Sequence, residues 1–286
     1  MIFYINEELY SRVQKEDINR IKYFLKNHTL EKITIKDKEW DIIDTGTGKE
    51  TILIFSGGLR KSYLSSFSYI DVLKKDYRII APSYPKLNKI KNILNGIEEI
   101  IKNKKINRLY VMGHSFGGIV AQCYADLYPR RVKKLILINT LSGTTKFITD
   151  FFKLNCKVFS LFKPETALNL YKKQLISLLA VPESNKEFWK AFLNDTFFNC
   201  YTYDDYLSLQ NNQWDYMKNY SSLPDPYKGK VLIVNSKDDK STIKVLKNKL
   251  YERYPNARVY NFETGGHIPS WSKPDEFEKI IKEFLK

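Results

Sequence analysis

The stretch Leu109-Tyr110-Val111-Met112-Gly113-His114-Ser115-Phe116-Gly117-Gly118 decides how the rest of the chain is read. It opens with a short continuous apolar run, Leu109 to Met112. Runs of this length without polar alternation suit a strand buried on both faces, as in a parallel sheet. The run is followed by Gly-x-Ser-x-Gly, residues 113–117, and then by a helical apolar pattern over 116–128. A serine between two glycines at a tight strand-to-helix turn lifts its hydroxyl above the strand ends, where it can attack a substrate. A Gly-rich turn with no chemistry is the competing explanation. A strand before the turn and a helix after it favour the nucleophile, Ser115.

Working outward, the same kind of run recurs at Ile52 to Phe55, Arg78 to Ala81, Leu135 to Ile138, Val231 to Val234 and Arg258 to Tyr260. Helical patterns lie between most of them, at 65–75, 88–103, 116–128 and 241–254, with 274–285 closing the chain. This alternation predicts an α/β fold with a mostly parallel sheet flanked by helices. Two further strands, 31–36 and 39–44, precede a turn at Thr45-Gly46-Thr47-Gly48. The spacing of Leu9, Val13, Ile18, Ile21, Phe24 and Leu25 predicts a helix over 6–27. Between Asn139 and Gly229 no buried strand is evident. That interval reads as helical and rich in aromatics, among them Phe152, Phe159, Trp189 and Phe197. The expected organisation is therefore an N-terminal helical extension (1–30), a core (31–140 and 229–286) and an inserted helical cap (141–228).

A serine hydroxyl needs a base to take its proton. Only three histidines are present. His28 ends the N-terminal helix and reads as a surface residue. His114 adjoins Ser115 on a tight turn, where neighbouring side chains diverge, and reads as structural. His267, in Gly265-Gly266-His267-Ile268-Pro269, follows the last strand, on the side where catalytic groups collect in open α/β sheets. An acid to orient that imidazole belongs between serine and histidine in chain order. The loop after Val234 offers Asp238 and Asp239; the loop after Ile138 offers Asn139 and Thr140 but no carboxylate. Two backbone N–H groups should meet the oxyanion. One is that of Phe116. The other lies in Ser56-Gly57-Gly58-Leu59, with Gly58 preferred and Leu59 the alternative.

Composition bounds the rest. The 286 residues are 43% hydrophobic, enough for one large core without disulfides. The formal charge of +15 raises the question of nucleic acid or an anionic membrane. The lysines are scattered through a chain rich in Lys, Ile and Asn, so no specific nucleic-acid partner is expected, although a basic surface can attract an anionic substrate or lipid. Cys123, Cys156 and Cys200 are odd in number and widely spaced, which suggests neither a disulfide framework nor a zinc site. No signal peptide or bilayer-spanning run is visible, so a cytoplasmic location is expected. No metal or cofactor is expected, since the glycines match no phosphate loop.

With these motifs in place, the chain resembles the α/β-hydrolase superfamily along most of its length. Phe55-Ser56-Gly57-Gly58, the Ser115 elbow, Ser236-Lys237-Asp238-Asp239 and Gly265-Gly266-His267-Ile268-Pro269 match in order. In that family the acid follows a Gly-x-x-Asp pattern, with Ser236 here in the glycine place, which implies Asp239. Two departures stand out: Ser56-Gly57 replaces a common His-Gly, and Ala81-Pro82-Ser83-Tyr84-Pro85 lacks the usual acidic, glycine-containing loop. In the latter, and in Tyr254-Pro255-Asn256-Ala257-Arg258 and Leu137-Ile138-Asn139, the chain looks like the maspardin-like branch, some of whose members are non-catalytic and lack the histidine. Retention of His267 favours an enzyme. The resemblance implies a serine hydrolase, carboxylesterase-like, acting on a small acyl substrate through Ser115, His267 and Asp239. The aromatic cap suggests an apolar substrate. A non-catalytic binding or scaffold protein, acyl transfer, thioester, peptide or C–C bond hydrolysis are the alternatives. Dehalogenase and epoxide hydrolase chemistry is disfavoured because those enzymes need a carboxylate at the elbow.

Overall fold

The computed structural model describes residues 5–28, 30–58, 66–178 and 186–286. Its centre is an eight-stranded sheet in the order β1-β2-β4-β3-β5-β6-β7-β8. The strands are β1 (Leu30–Ile35), β2 (Lys38–Asp44), β3 (Glu50–Phe55), β4 (Tyr77–Pro82), β5 (Leu109–His114), β6 (Val132–Ile138), β7 (Lys230–Ser236) and β8 (Arg258–Phe262). β1 and β2 form an antiparallel hairpin joined through Lys36 and Asp37, both at positive φ, and β2 runs antiparallel to β4. All other pairings are parallel. This is the α/β architecture expected from the alternating pattern.

Successive residues of a strand point to opposite faces, so each apolar run feeds two cores. Ile52, Ile54, Ile79, Met112 and Ile136 face one layer, with helices α2 (Phe67–Leu73) and α11 (Pro274–Leu285). Leu53, Phe55, Ile80, Val111 and Leu135 face the other, with α3 (Ile90–Asn103) and α4 (Phe116–Leu127). The helix α3 buries Ile90, Ile93, Leu94, Ile97, Ile100 and Ile101, an apolar stripe at helical spacing. β8 departs from expectation: it is the edge strand, with Val259 exposed, because it has a neighbour on one side only.

The N-terminal helix is interrupted. A single 3-10 turn, Glu7–Tyr10, is capped by the Asn6 side chain, and α1 (Lys15–Asn27) follows. Nor is the segment detached. Ile21 and Phe24 are buried, and the Phe24 ring meets Phe67 of α2 at 5.8 Å. His28, expected on the surface, is half-buried: its ring stacks on Phe24 at 4.5 Å, and burial depresses its pKa. The segment 141–228 contains, among its described residues, helices only: α5 (Lys146–Ser160), α6 (Pro164–Leu178), α7 (Lys186–Leu193), a π-helical turn Asn194–Phe198 and α8 (Tyr203–Asn219). α9 (Lys244–Arg253) and the short α10 (Pro269–Ser272) complete the fold. Among the described residues, no helix is long and apolar enough to cross a membrane. All three cysteines are free thiols, with Cys123 buried.

The strand order positions the site. β3 lies between β4 and β5, so the chain winds one way from β3 to β4 and the other way from β5 onward. At such a reversal the loops leaving the strand ends diverge and open a crevice. Gly57 and Gly58 leave β3, and Ser115 leaves its neighbour β5. Asn139, Asp239 and His267 follow β6, β7 and β8, the next three strands in line.

Candidate active site

Ser115 has φ 54° and ψ −125°, a strained conformation for a residue with a side chain. Its N–H donates to the Ile138 carbonyl at 3.0 Å. Its own carbonyl accepts from Gly118 N at 2.9 Å and from Thr140 Oγ1 at 2.7 Å. The glycines of the motif answer to close approach. A Cβ on Gly113 would lie 2.5 Å from the Gly117 carbonyl oxygen, and one on Gly117 would lie 2.1 Å from that of Phe55. Helix α4 begins at Phe116, whose N–H is the first of the helix and so has no intrahelical acceptor. Gly58 lines the same cavity as Phe116 and Ser115. Leu59 lies outside the described residues.

The loops after β7 and β8 meet. His267 Nδ1 lies 3.1 Å and 3.2 Å from the two carboxylate oxygens of Asp239. With the carboxylate accepting the Nδ1 proton, Nε2 is left as the acceptor nitrogen. Asp238, the other candidate, is turned away. Its Oδ1 accepts the N–H groups of Gly265 and Gly266, both at 2.9 Å, which pins the loop carrying His267. Burial alone would raise the Asp239 pKa. The hydrogen bond and charge of His267, together with Ser241, outweigh it and hold the carboxyl down to about 2. The folded value lies below the ordinary carboxylate value near 3.9. The stabilisation this gives is therefore present above about pH 4 and lost as pH falls toward 2. Wild type should exceed Asp239→Asn by a pH-dependent component on the order of 2 kcal/mol in denaturant titrations above pH 4. That component should fade between about pH 4 and 2; a gap that does not change across the window would contradict the assignment.

Three further residues surround this pair: Ser241, which the sequence reading did not single out, Asn139, and His114, which it read as structural. Ser241 Oγ lies 2.7 Å from Asp239 Oδ1 and 2.6 Å from His267 Nδ1, and its N–H donates to the same carboxylate at 2.9 Å. Asn139, considered only for its lack of charge, ties three loops together. Its amide donates to the carbonyls of Gly266 and His267 at 2.9 and 3.0 Å, and its Oδ1 accepts from Ser236 N at 2.8 Å. His114 is buried; burial, and then the neighbouring His267, push its pKa down to about 3. It stays neutral and donates from Nε2 to the His267 carbonyl at 2.8 Å. The departure at Ser56 also finds a physical replacement. Its buried hydroxyl hydrogen-bonds Ser66, and Tyr84 Oη donates to its carbonyl at 3.2 Å, bracing the segment before Gly57 and Gly58.

Ser115 and His267 open onto one cavity of about 350 Å³, roofed by α5–α8. Its walls carry Phe152, Phe159, Trp189 and Phe197, interrupted by the carboxamides of Asn155, Gln174, Gln210 and Gln213. Among the described lining residues none is Lys, Arg, Asp or Glu. No cluster of three potential metal ligands occurs among the described residues.

Residues 50–274 match the family model for the alpha/beta hydrolase fold. A 2-hydroxy-6-oxononadienedioate/2-hydroxy-6-oxononatrienedioate hydrolase of Paraburkholderia phymatum is 24% identical over 269 residues, covering 85% of this chain and 89% of the relative. The solved enol-lactonase of Burkholderia xenovorans superposes with a TM-score of 0.70 at 15% identity, over 89% of this chain and 99% of that one. A thermophilic esterase from Thermogutta terrifontis superposes with a TM-score of 0.69 at 17% identity, over 90% of this chain and 98% of that one. The likeness to both structures is one of fold.

Proposed function

The chain belongs to the α/β-hydrolase family, and on that premise we propose that it is a serine hydrolase of carboxylic esters or related small acyl compounds. One observation carries the reading: His267 Nδ1 is seated on the buried Asp239 carboxylate while its ring faces the cavity that also holds the strained Ser115. In this reading Ser115 Oγ attacks the acyl carbonyl and gives its proton to His267 Nε2. The N–H groups of Phe116 and Gly58 receive the developing oxyanion. The imidazolium, held by Asp239, returns the proton to the departing alcohol. Water, deprotonated by His267, then releases the acid and restores the serine.

Hydrolysis of a C–C bond beside a ketone is the second reading, favoured by the names of relatives such as that of P. phymatum. Their named substrates are dicarboxylates. The described lining, apolar and edged with neutral carboxamides, offers no cation to a carboxylate and so favours an uncharged acyl group. A fluorophosphonate probe should label the full chain stoichiometrically at Ser115, and short neutral p-nitrophenyl esters should be turned over. Absence of labelling would sink the reading in favour of a binding protein. Labelling accompanied by turnover of a vinylogous diketone dicarboxylate but of no ester would move it to C–C hydrolysis.

A further inference from the structure

Helix α5 has no buried residue, although it is rich in large apolar side chains. Phe147, Phe151, Leu154, Val158 and Leu161 follow one another at spacings of four and three, which places them on a single helix face. They are respectively 78, 62, 58, 42 and 79% exposed. Such a stripe, contiguous and uncovered, is the kind of surface that marks an interaction site.

The helix has two different flanks. Lys146, Lys153 and Lys157 each immediately precede a stripe residue, so all three project about 100° to one side of it. They are exposed, Lys146 to 95% of its side chain, and Lys163 adds a fourth exposed lysine just beyond the helix. Asp150, the only acidic residue between Lys146 and Lys163, lies on the same flank and pairs with Lys146 at 3.2 Å and Lys153 at 3.9 Å, leaving that flank net positive. Phe152, Asn155 and Phe159 each immediately follow a stripe residue, project to the opposite side, and line the cavity above Ser115.

We propose that this face of α5 docks on an anionic lipid surface, with the Phe147–Leu161 stripe entering the headgroup boundary and the flanking lysines meeting lipid phosphates. An amphipathic helix with aromatic and leucine side chains on one face and lysines beside them lies in the interface plane. Long lysine side chains reach the headgroups while their stems remain in apolar surroundings. Charge selects the lipid over a second copy of the chain. A symmetric dimer would set the same lysines against each other, on molecules that each carry +15. The docked helix is also the one whose opposite flank walls the cavity. The docking itself does not depend on the chemistry at Ser115.

The test is co-sedimentation of the full chain with phosphatidylcholine vesicles and with phosphatidylcholine–phosphatidylglycerol vesicles. Binding should appear on the mixed vesicles, weaken at least about tenfold on pure phosphatidylcholine, and fall with added salt. Phe147→Asp/Phe151→Asp and Lys153→Glu/Lys157→Glu should each weaken it at least about tenfold. None of these residues lines the cavity, so unchanged melting and unchanged turnover of a water-soluble ester would show that fold and site are intact. No binding, equal binding to both vesicle types, or binding indifferent to both double variants would overturn the proposal. A concentration-dependent dimer that Phe147→Asp/Phe151→Asp dissolves would overturn it in favour of self-association.

Discussion

Ser115→Ala is expected to lower kcat/KM for a short p-nitrophenyl ester by about 10,000-fold or more, with melting within a few degrees of wild type. The size of the expected loss follows from removing the proposed nucleophile itself. What remains is the modest rate enhancement of bound substrate and oxyanion donors. The fold should be indifferent, because the contacts that hold the elbow are made by the backbone of residue 115, through its N–H to Ile138 and its carbonyl from Gly118 and Thr140. Alanine meets the same positive φ as serine. A Ser115→Ala/His267→Ala double variant should be scarcely slower than either single one, since the two groups act in one proton transfer. Retention of more than about a tenth of wild-type turnover in Ser115→Ala would remove Ser115 from the mechanism.

The second large effect is on the turn that presents the serine. Gly117→Ala places a methyl group 2.1 Å from the Phe55 carbonyl oxygen and 2.3 Å from that of Ser56. Those atoms are backbone at the end of β3, not the tip of a side chain that can swing away. Either α4 retreats from the sheet or the β3 end shifts, and the segment Gly57-Gly58, the proposed source of an oxyanion donor, moves with it. A destabilisation of about 3 kcal/mol or more is expected, read as a fall in Tm of roughly 6–12 °C. Ester turnover in the fraction that folds should drop at least about 100-fold, because displacements near 1 Å are costly in a positioned site. Gly46→Ala is the control: Gly46 has φ +73° but nothing within 4 Å of an added Cβ. It should cost only the left-handed backbone term, about 1–2 kcal/mol, with turnover preserved. Gly117 itself has no left-handed φ, so a melting loss no larger than that of Gly46→Ala would mean that the crowding against Phe55 and Ser56 is relieved by small shifts and does not explain the glycine at 117.

How far the sequence could be read depended on the range of the physics involved. Five of the six apolar runs were legible because a strand covered on both faces must be apolar at every position, a condition met locally; the sixth, Arg258 to Tyr260, is an exposed edge strand that was read from the same kind of run. The elbow was legible because its steric demands fall within five residues. The candidate base followed from there being three histidines in all. The choice between Asp238 and Asp239 was different: both have the same chemistry and nearly the same local context. Only the packing of the β7 loop against the β8 loop turns one carboxylate to the glycine N–H groups at 265 and 266 and the other to His267 Nδ1. Asn139 and Ser241 were passed over because a short polar side chain reveals its partners only once distant loops are brought together.

The chain by itself therefore made the strands and the serine at its turn legible, because backbone sterics and apolar periodicity act over a few residues, and it left His267 as the candidate base by elimination. The residues themselves left Asp238 and Asp239 open, with only the family resemblance pointing to Asp239; tertiary structure decided which carboxylate meets the imidazole, which side chains brace the loops and which apolar helix face stays uncovered among the described residues. The Phe147–Leu161 stripe has the spacing of any core-facing helix, and sequence reading took its aromatics as part of a cap. Periodicity records which residues share a face, whereas coverage of that face depends on what the rest of the chain lays against it. For α5 no other element does so on that side among the described residues.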